Sequence, residues 1–430
     1  MKFLISQIKK TYGMADPEER QAVLNNFAFL SALQVITYLL PIFILPYLFR
    51  VLGADKFGLL SFAQAFIQYF MILTDYGFNI SATKEISVRH HEPGAINKIF
   101  HAVMAVKILL LLFSLAILGM VIAWVPRFHE DWRLYTLSFG MVIGNALFPH
   151  WFFQGIEKMK PIADLNIFGG ILSAVLIFSL VHSPSDYLLV PFIQSAVMLT
   201  TGLWGQYLVI QTLKVPFQLP SWATFREQFI AGWHVFLSSL AINAYTTTRI
   251  FAIGLFGSNT ITGYYSAGEK IAGLFQTFPL VPFSQALFPR LSKIFHKNKM
   301  RAYDFMEKIQ RISVTVSLIC LPLGFFFAPW IVRILCGKPY FEIIWSFRLL
   351  LIAVLFVGSN AFRVQFLLIA GKQDAYAKIH LLAAGIGMPL LVMAIAYYSY
   401  LGAACATILI EGGIFVQTCR SVKQYILRQK

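Results

Sequence analysis

From about residue 23 onward, long apolar runs alternate with short polar connections rich in Lys and Arg. About twelve such runs can be drawn, centred near Val35, Ile67, Leu110, Met141, Leu172, Val197, Leu240, Phe275, Leu318, Val354, Pro389 and Leu409. Each is long enough to cross a bilayer core as a helix, which takes roughly 20 residues. The alternating in–out pattern of a membrane β-barrel is absent, so the spans are expected to be helices. No connection exceeds roughly 20 residues, which leaves no room for a globular catalytic domain outside the membrane. Residues 1–22 form a cytoplasmic segment in this reading. They are too polar for a signal peptide, so the first span is expected to stay in the mature protein.

The runs repeat. Gly53-Ala54-Asp55-Lys56-Phe57-Gly58-Leu59-Leu60-Ser61 is echoed by Gly257-Ser258-Asn259-Thr260-Ile261-Thr262-Gly263-Tyr264-Tyr265-Ser266, and each string is the first outer loop of its half. A second echo pairs Gly144-Asn145-Ala146 with Ser359-Asn360-Ala361, and Gly155 and Gly371 follow at similar offsets. The expected fold is an all-α integral membrane protein, with about twelve transmembrane helices in two pseudo-symmetric six-helix bundles. One lobe covers 23–215 and the other 227–430. A cytoplasmic linker at 216–226 is marked by Pro216, Pro220 and Ser221. Paired bundles of this kind are most often transporters, with the site where the halves meet.

Charge sets the orientation. Of the 35 Lys and Arg residues, twenty-four fall on the side of the termini and the even-numbered loops, and six in the odd loops. That bias puts both termini in the cytoplasm. It also accounts for most of the +16 net charge, through basic loops that lean on anionic membrane lipids. Nucleic acid is not an expected partner, because there is no soluble domain to bind it. With 58% hydrophobic and 13% charged residues and a mean hydropathy of +0.69, a soluble enzyme is excluded.

Little of the chain can do covalent chemistry. Gly53 to Gly58 has the first spacing of a phosphate loop, but Leu59-Leu60 stand where Lys-Ser/Thr would be needed. Cys320, Cys336, Cys405 and Cys419 have no metal or redox spacing, and the nine His residues form no zinc motif. No catalytic residue, metal ligand or cofactor is therefore expected. A membrane glycan polymerase would want paired acids in a large outer loop, and Glu130-Asp131 sits between Arg127 and Arg133 in a short one.

The charges inside spans are more informative, since charge at bilayer depth is costly unless it faces a wet cavity or a partner. Lys107 lies near the middle of span three, Arg249 in span seven, and Lys270 beside Glu269 in span eight. Arg50, Arg290 and Arg363 lie nearer span ends, and Arg348 is placed to snorkel. Lys107, Arg249, Lys270, Arg363, Arg50 and Arg290 make up the candidate cationic lumen. Lys107 and Arg249 are expected to face a shared cavity and to hold a diphosphate or acidic sugars. Glu411 and Glu269 are the acids suited to ion coupling, with structural pairing to a buried cation as the other reading of Glu411. Pro41, Pro46, Pro149, Pro279, Pro282, Pro322, Pro329 and Pro389 are expected to interrupt or bend their spans.

Several strings resemble the polysaccharide flippase family of Wzx-type O-antigen and repeat-unit flippases. They are Phe49-Arg50-Val51-Leu52-Gly53 through Gly58-Leu59-Leu60-Ser61-Phe62-Ala63-Gln64; Asp75-Tyr76-Gly77-Phe78; Pro149-His150-Trp151-Phe152-Phe153-Gln154-Gly155-Ile156-Glu157-Lys158-Met159; Gly263-Tyr264-Tyr265-Ser266-Ala267-Gly268-Glu269-Lys270; and Ala286-Leu287-Phe288-Pro289-Arg290-Leu291-Ser292. The superfamily also holds MATE multidrug exporters and lipid II flippases. The resemblance implies an undecaprenyl-diphosphate-linked oligosaccharide as cargo, flipped from the inner to the outer leaflet of the bacterial cytoplasmic (inner) membrane by alternating access. H+ or Na+ would be the coupling ion, with an O-antigen polymerase and a chain-length regulator as further candidate partners. A MATE-like multidrug exporter is the first alternative and a membrane glycan polymerase the second.

Overall fold

A computed structural model describes residues 17–89, 92–213 and 218–427; the side chains of 17–39 and 276–286, with a few scattered others, lie outside that description. Helix is the only regular secondary structure among the described residues. In the first half, α1 (Pro17–Asp75) is two rods joined at Gly53, whose φ of 73° lies in the left-handed region that glycine enters without penalty. A second break at Tyr76 and Gly77 (φ 46° and 80°) leads into α2 (Phe78–Val88). Next come α3 (Pro93–Trp124), α4 (Pro126–Glu130), α5 (Trp132–Leu147), α6 (His150–Gly155), α7 (Met159–Leu180) and, after the 3-10 turn Pro184–Leu188, α8 (Leu189–Leu213).

The second half comprises α9 (Trp222–Phe256), α10 (Asn259–Lys297), α11 (Lys299–Phe326), α12 (Ala328–Cys336), α13 (Phe341–Gly358), α14 (Ala361–Ile369) and α15 (Gln373–Leu427). The last is again two rods, joined at Ser399 with φ 52°. All twelve predicted centres fall on helices. Among the described residues, seven segments are long and apolar enough to cross a membrane, from Leu40–Val88 to Gln373–Leu427. Many of their outward side chains are large and apolar, such as Leu112, Phe113, Ile386 and Met393. In hydrocarbon that exposure carries no penalty, since lipid tails are as apolar as leucine.

Proline positions and helix breaks largely part company. The helices run on through Pro41, Pro46, Pro322 and Pro389, because a bilayer helix can bend and re-satisfy the freed carbonyl locally. Pro149 does mark a break, between α5 and α6, and Pro329 starts α12. The side chains of Pro279 and Pro282 lie outside the described residues.

Within the first half, α1 packs on α5 and α7, and α8 on α5 and α7. Within the second, α13 packs on α10, α11 and α15, and α9 on α15. The halves meet mainly where α1 runs along α10. The repeated strings touch there. A Cβ on Gly58 would stand 1.8 Å from the backbone oxygen of Asn259, and one on Gly263 would stand 2.1 Å from that of Ala54. The hydroxyl of Ser266 donates to that of Ser61 at 2.8 Å, across a separation of 205 residues. Ala54 and Asn259, and Gly58 and Gly263, are separated by the same interval. Each string thus gives its copy the contact it receives, the signature of a two-fold interface. The repeat meets itself, the two helices side by side with the same ends together.

Two arginines of the first half add to this contact. Arg127 lies over the Phe62 ring at 4.6 Å and donates to the Asn259 side chain (3.2 Å) and to Leu255 O (3.5 Å). Arg50 donates to Leu335 O at 3.1 Å and to Ile334 O. These carbonyls belong to the last turns of α9 and α12, where free acceptors and the helix dipole both favour a cation. Nearby, burial pushes the Asp131 carboxyl up, against the opposing pull of Lys56.

Candidate functional site

Two polar cavities are lined by described residues, one in each half. The larger, about 570 Å³, lies between α9, α10, α13, α14 and α15. Arg249 is held there by three groups: Glu269 Oε1 at 2.8 Å, Thr246 O at 3.2 Å and Thr407 Oγ1 at 3.4 Å. Tyr245 and His380 share a hydrogen bond of 3.1 Å on the same wall, and Glu411 completes the charged lining. The guanidinium keeps only 16% of its side chain exposed, yet it faces the cavity. Among the described residues, one cation therefore stands against two carboxylates in this cavity, rather than the cationic excess expected. Glu269 neutralises Arg249 rather than its neighbour Lys270, because successive residues on a helix point away from each other. Lys270 is exposed and lies 4.9 Å over the ring of Phe57, at the contact between halves.

The smaller cavity, about 240 Å³, is in the first half. Its walls are Asp75, Asn79, Asn145, Phe148, His150, Asn166, Met198 and Thr201. Lys107 sits behind it, 1% exposed, with Nζ 3.5 Å from Asp75 Oδ1. Asn79 Nδ2 donates to the other carboxylate oxygen at 2.9 Å. Lys107 is thus buried and paired and does not line this cavity, while Arg249 lines the other. The structure does not bring the two to one described cavity. The remaining cations are dispersed. Arg363 pairs with Glu307 (3.6 Å) and donates to Ser359 O (2.7 Å), Arg290 lies 5.1 Å over Phe305, and Arg50 caps α12. Arg348 donates to Phe325 O at 3.1 Å and lies over two aromatic rings.

Both cavities adjoin broken helices. The smaller lies where the α1–α2 break at Tyr76-Gly77 faces the α5–α6 break at Phe148-Pro149, and Asn360 at the α13–α14 break lines the larger. Interrupted spans are where membrane transporters expose backbone and polar groups to a passenger. Asn145 and Asn360, the second sequence echo, line one cavity each. Residue-by-residue reading missed Asp75, His150, His380, Tyr245 and Thr407. The signal for the first two was the interruption in their spans. Among the described residues, no group of three or more His, Cys, Asp or Glu is placed to hold a metal ion.

The sequence profile of the family described as "Polysaccharide biosynthesis protein" matches residues 23–295. The chain belongs to this family. Its relatives include the "Putative O-antigen transporter" of Escherichia coli (strain K12), 30% identical over 393 residues that cover 90% of this chain and 93% of the relative. A protein of the same name from Shigella dysenteriae is 27% identical, over 93% of this chain and 100% of that one. The "Probable low-salt glycan biosynthesis flippase Agl15" of Haloferax volcanii is 24% identical, over 84% and 75% of the two chains. Among solved structures, the lipid II flippase MurJ in its inward closed conformation superposes with a TM-score of 0.74 at 12% identity, over 92% of this chain and 87% of that one. An inward-facing multidrug resistance MATE family transporter of the MOP superfamily gives 0.63 at 13%, over 93% and 98%. At such identities these likenesses establish the fold, that of all-α multi-pass membrane transporters.

Proposed function

We propose that this family member is a flippase, moving a polyprenyl-diphosphate-linked oligosaccharide of the O-antigen type from the inner to the outer leaflet of the bacterial cytoplasmic membrane. The observation that carries the reading is Arg249, a guanidinium facing a roughly 570 Å³ cavity within the helical bundle. A diphosphate joined to a glycan cannot cross hydrocarbon unaided, whereas its polyprenyl tail never has to leave it. Arginine grips phosphate through two parallel hydrogen bonds. The names of the E. coli, Shigella and Haloferax relatives support the same class of cargo.

In this mechanism Glu269 occupies Arg249 until cargo or a cation displaces it. A proton or sodium ion taken up by Glu269 or Glu411 frees the guanidinium for phosphate, and cargo release restores the ion pair. The lobes, 23–215 and 227–430 on either side of the 216–226 linker, rock so that the Gly58–Gly263 contact closes and parts in turn, with twelve crossings and both termini cytoplasmic. Lys270, on the contact between halves, and Lys107, if Asp75 lets go of it, add positive charge along the route; Arg50, Arg290 and Arg363 guard its rims. An O-antigen polymerase and a chain-length regulator take the flipped unit onward.

The test is complementation of a flippase-null strain that makes the cognate glycan. Arg249→Ala should abolish it at unchanged membrane levels, and Arg249→Lys should keep part of it. Full activity of Arg249→Ala would remove the site. The two carboxylates in the cavity favour one other reading, a MATE-like exporter of organic cations. On that reading, deleting the gene would raise sensitivity to cationic drugs and leave surface glycan intact.

A further inference from the structure

The cavity of the first half is chemically unlike that of the second. Among the described residues no Lys or Arg lines it, and the one charge they bring to its wall is the Asp75 carboxylate. A phosphate entering there would meet a like charge whose neutralising partner, Lys107, stands behind the wall. What the wall does offer is neutral hydrogen-bonding capacity. Three amides, Asn79, Asn145 and Asn166, converge with the Thr201 hydroxyl, the carboxylate and two flat rings, Phe148 and His150.

Part of this capacity is already used. Asn79 Nδ2 donates to Asp75, Asn166 Nδ2 donates to Ile162 O at 2.9 Å, and the Thr201 hydroxyl donates to Met198 O at 3.1 Å. The side-chain oxygens of Asn79 and Asn166 and the whole amide of Asn145 remain for a ligand. The buried Nδ1 of His150 has no hydrogen-bond partner among the described residues. Amides that donate and accept in one plane, a carboxylate acceptor and an aromatic face are the groups a ring of vicinal hydroxyls needs. At about 240 Å³ the space falls below the 300–1,000 Å³ typical of drug-sized ligands, which suits a single ring rather than a chain.

We propose that this cavity is a saccharide subsite, which takes one sugar ring of the cargo and reads its hydroxyls through Asn145, Asn79, Asn166 and Asp75. The inference rests on the flippase reading and deepens it: the second half holds the diphosphate through Arg249, and the first half reads the glycan. Cargo preference among flippases of this build then resides in the residues flanking the breaks at Tyr76-Gly77 and Phe148-Pro149.

The test uses the full chain in lipid nanodiscs with two kinds of probe. One is a panel of free hexoses, 6-deoxyhexoses and N-acetylhexosamines, followed by saturation-transfer NMR; the other is inorganic pyrophosphate, followed by calorimetry. At least one monosaccharide should bind the wild type. Asn145→Ala should weaken it about tenfold, the cost of losing a hydrogen-bonding amide, and Asn145→Gln should retain part of the affinity. Pyrophosphate binding should be unchanged in both, whereas Arg249→Ala should lose pyrophosphate and keep the sugar. If Asn145→Ala fails to fold, Asn166→Ala, at an exposed position, serves in its place. Absence of binding by every sugar on the panel, or undiminished sugar binding in the amide variants, overturns the subsite. The flippase reading is scored separately, by the pyrophosphate arm and by wild-type complementation, and it can stand when the sugar arm fails.

Discussion

Replacing Gly58 with alanine probes the contact at which the two halves meet. The new Cβ would stand 1.8 Å from Asn259 O, whereas carbon and carbonyl oxygen normally approach no closer than about 3.3 Å. The partner is backbone, so no side chain can rotate away, and α1 and α10 must separate by roughly 1.5 Å at this point. Overpacking of this kind costs about 1–3 kcal/mol. Because the clash exists only where the helices touch, the cost falls on the conformation described here and not on one in which they part. It should shift the population toward the parted form by about 5- to 150-fold. Ser61 and Ser266, whose hydroxyls are 2.8 Å apart, supply the assay. In a background lacking native cysteines, the pair Ser61→Cys and Ser266→Cys should cross-link rapidly in membranes under mild oxidant. Adding Gly58→Ala should slow the cross-link at least fivefold, and Gly263→Ala should act alike without adding to it, since both disturb one contact. Gly119→Ala, with open space around its Cβ, should leave it unchanged. An undiminished cross-linking rate in Gly58→Ala would refute the reasoning.

Three further outcomes are expected. Lys107→Met should destabilise the protein by about 1–3 kcal/mol, because Asp75, 35% exposed at the cavity wall, loses its cationic partner, and Lys107→Met with Asp75→Asn should recover most of the loss in a thermal-melt series; equal melting of single and double variants would contradict the pairing. Arg127→Ala, which removes the bonds to Leu255 and Asn259, should raise labelling by an impermeant reagent of a cysteine placed at Thr262 in intact cells; unaltered labelling would deny it a closing role. A reporter active only in the cytoplasm should work when fused after Lys160, Lys299 or Lys430 and fail after Asp131 or Ser258, the reverse pattern contradicting the orientation.

Much of the architecture was legible because the bilayer allows few solutions: a long apolar run must become a helix, and most Lys and Arg collect in the connections between runs. The repeated strings were legible as a symmetry, and the structure adds that Gly58 and Gly263 are small because two backbones touch there. The partners of the charges were not legible. Asp75 ends α1 with its carboxylate 3.5 Å from Lys107, and Gly77 alone hints in sequence at the break that follows, since positive φ at a tyrosine has no signature. Glu269 and Lys270 looked like a pair because they are adjacent, yet the helix turns them apart and gives Glu269 to Arg249. Arg50 and Arg127 looked like loop or lumen cations, and both sit on helix-end carbonyls, acceptors that every helix has and no motif marks. Asn145 and Asn360 were visible as an echo, but only the fold sets each beside a cavity.

The most direct test of the central claim is a flipping measurement with the purified chain in proteoliposomes. The probe is a short-chain polyprenyl diphosphate bearing a labelled oligosaccharide, and transfer is read by protection from a membrane-impermeant quencher. The account predicts transfer by the wild type that is lost in Arg249→Ala, is partly kept in Arg249→Lys, and is competed by excess of the same lipid diphosphate without its glycan. Transfer by Arg249→Ala at the wild-type rate would contradict it.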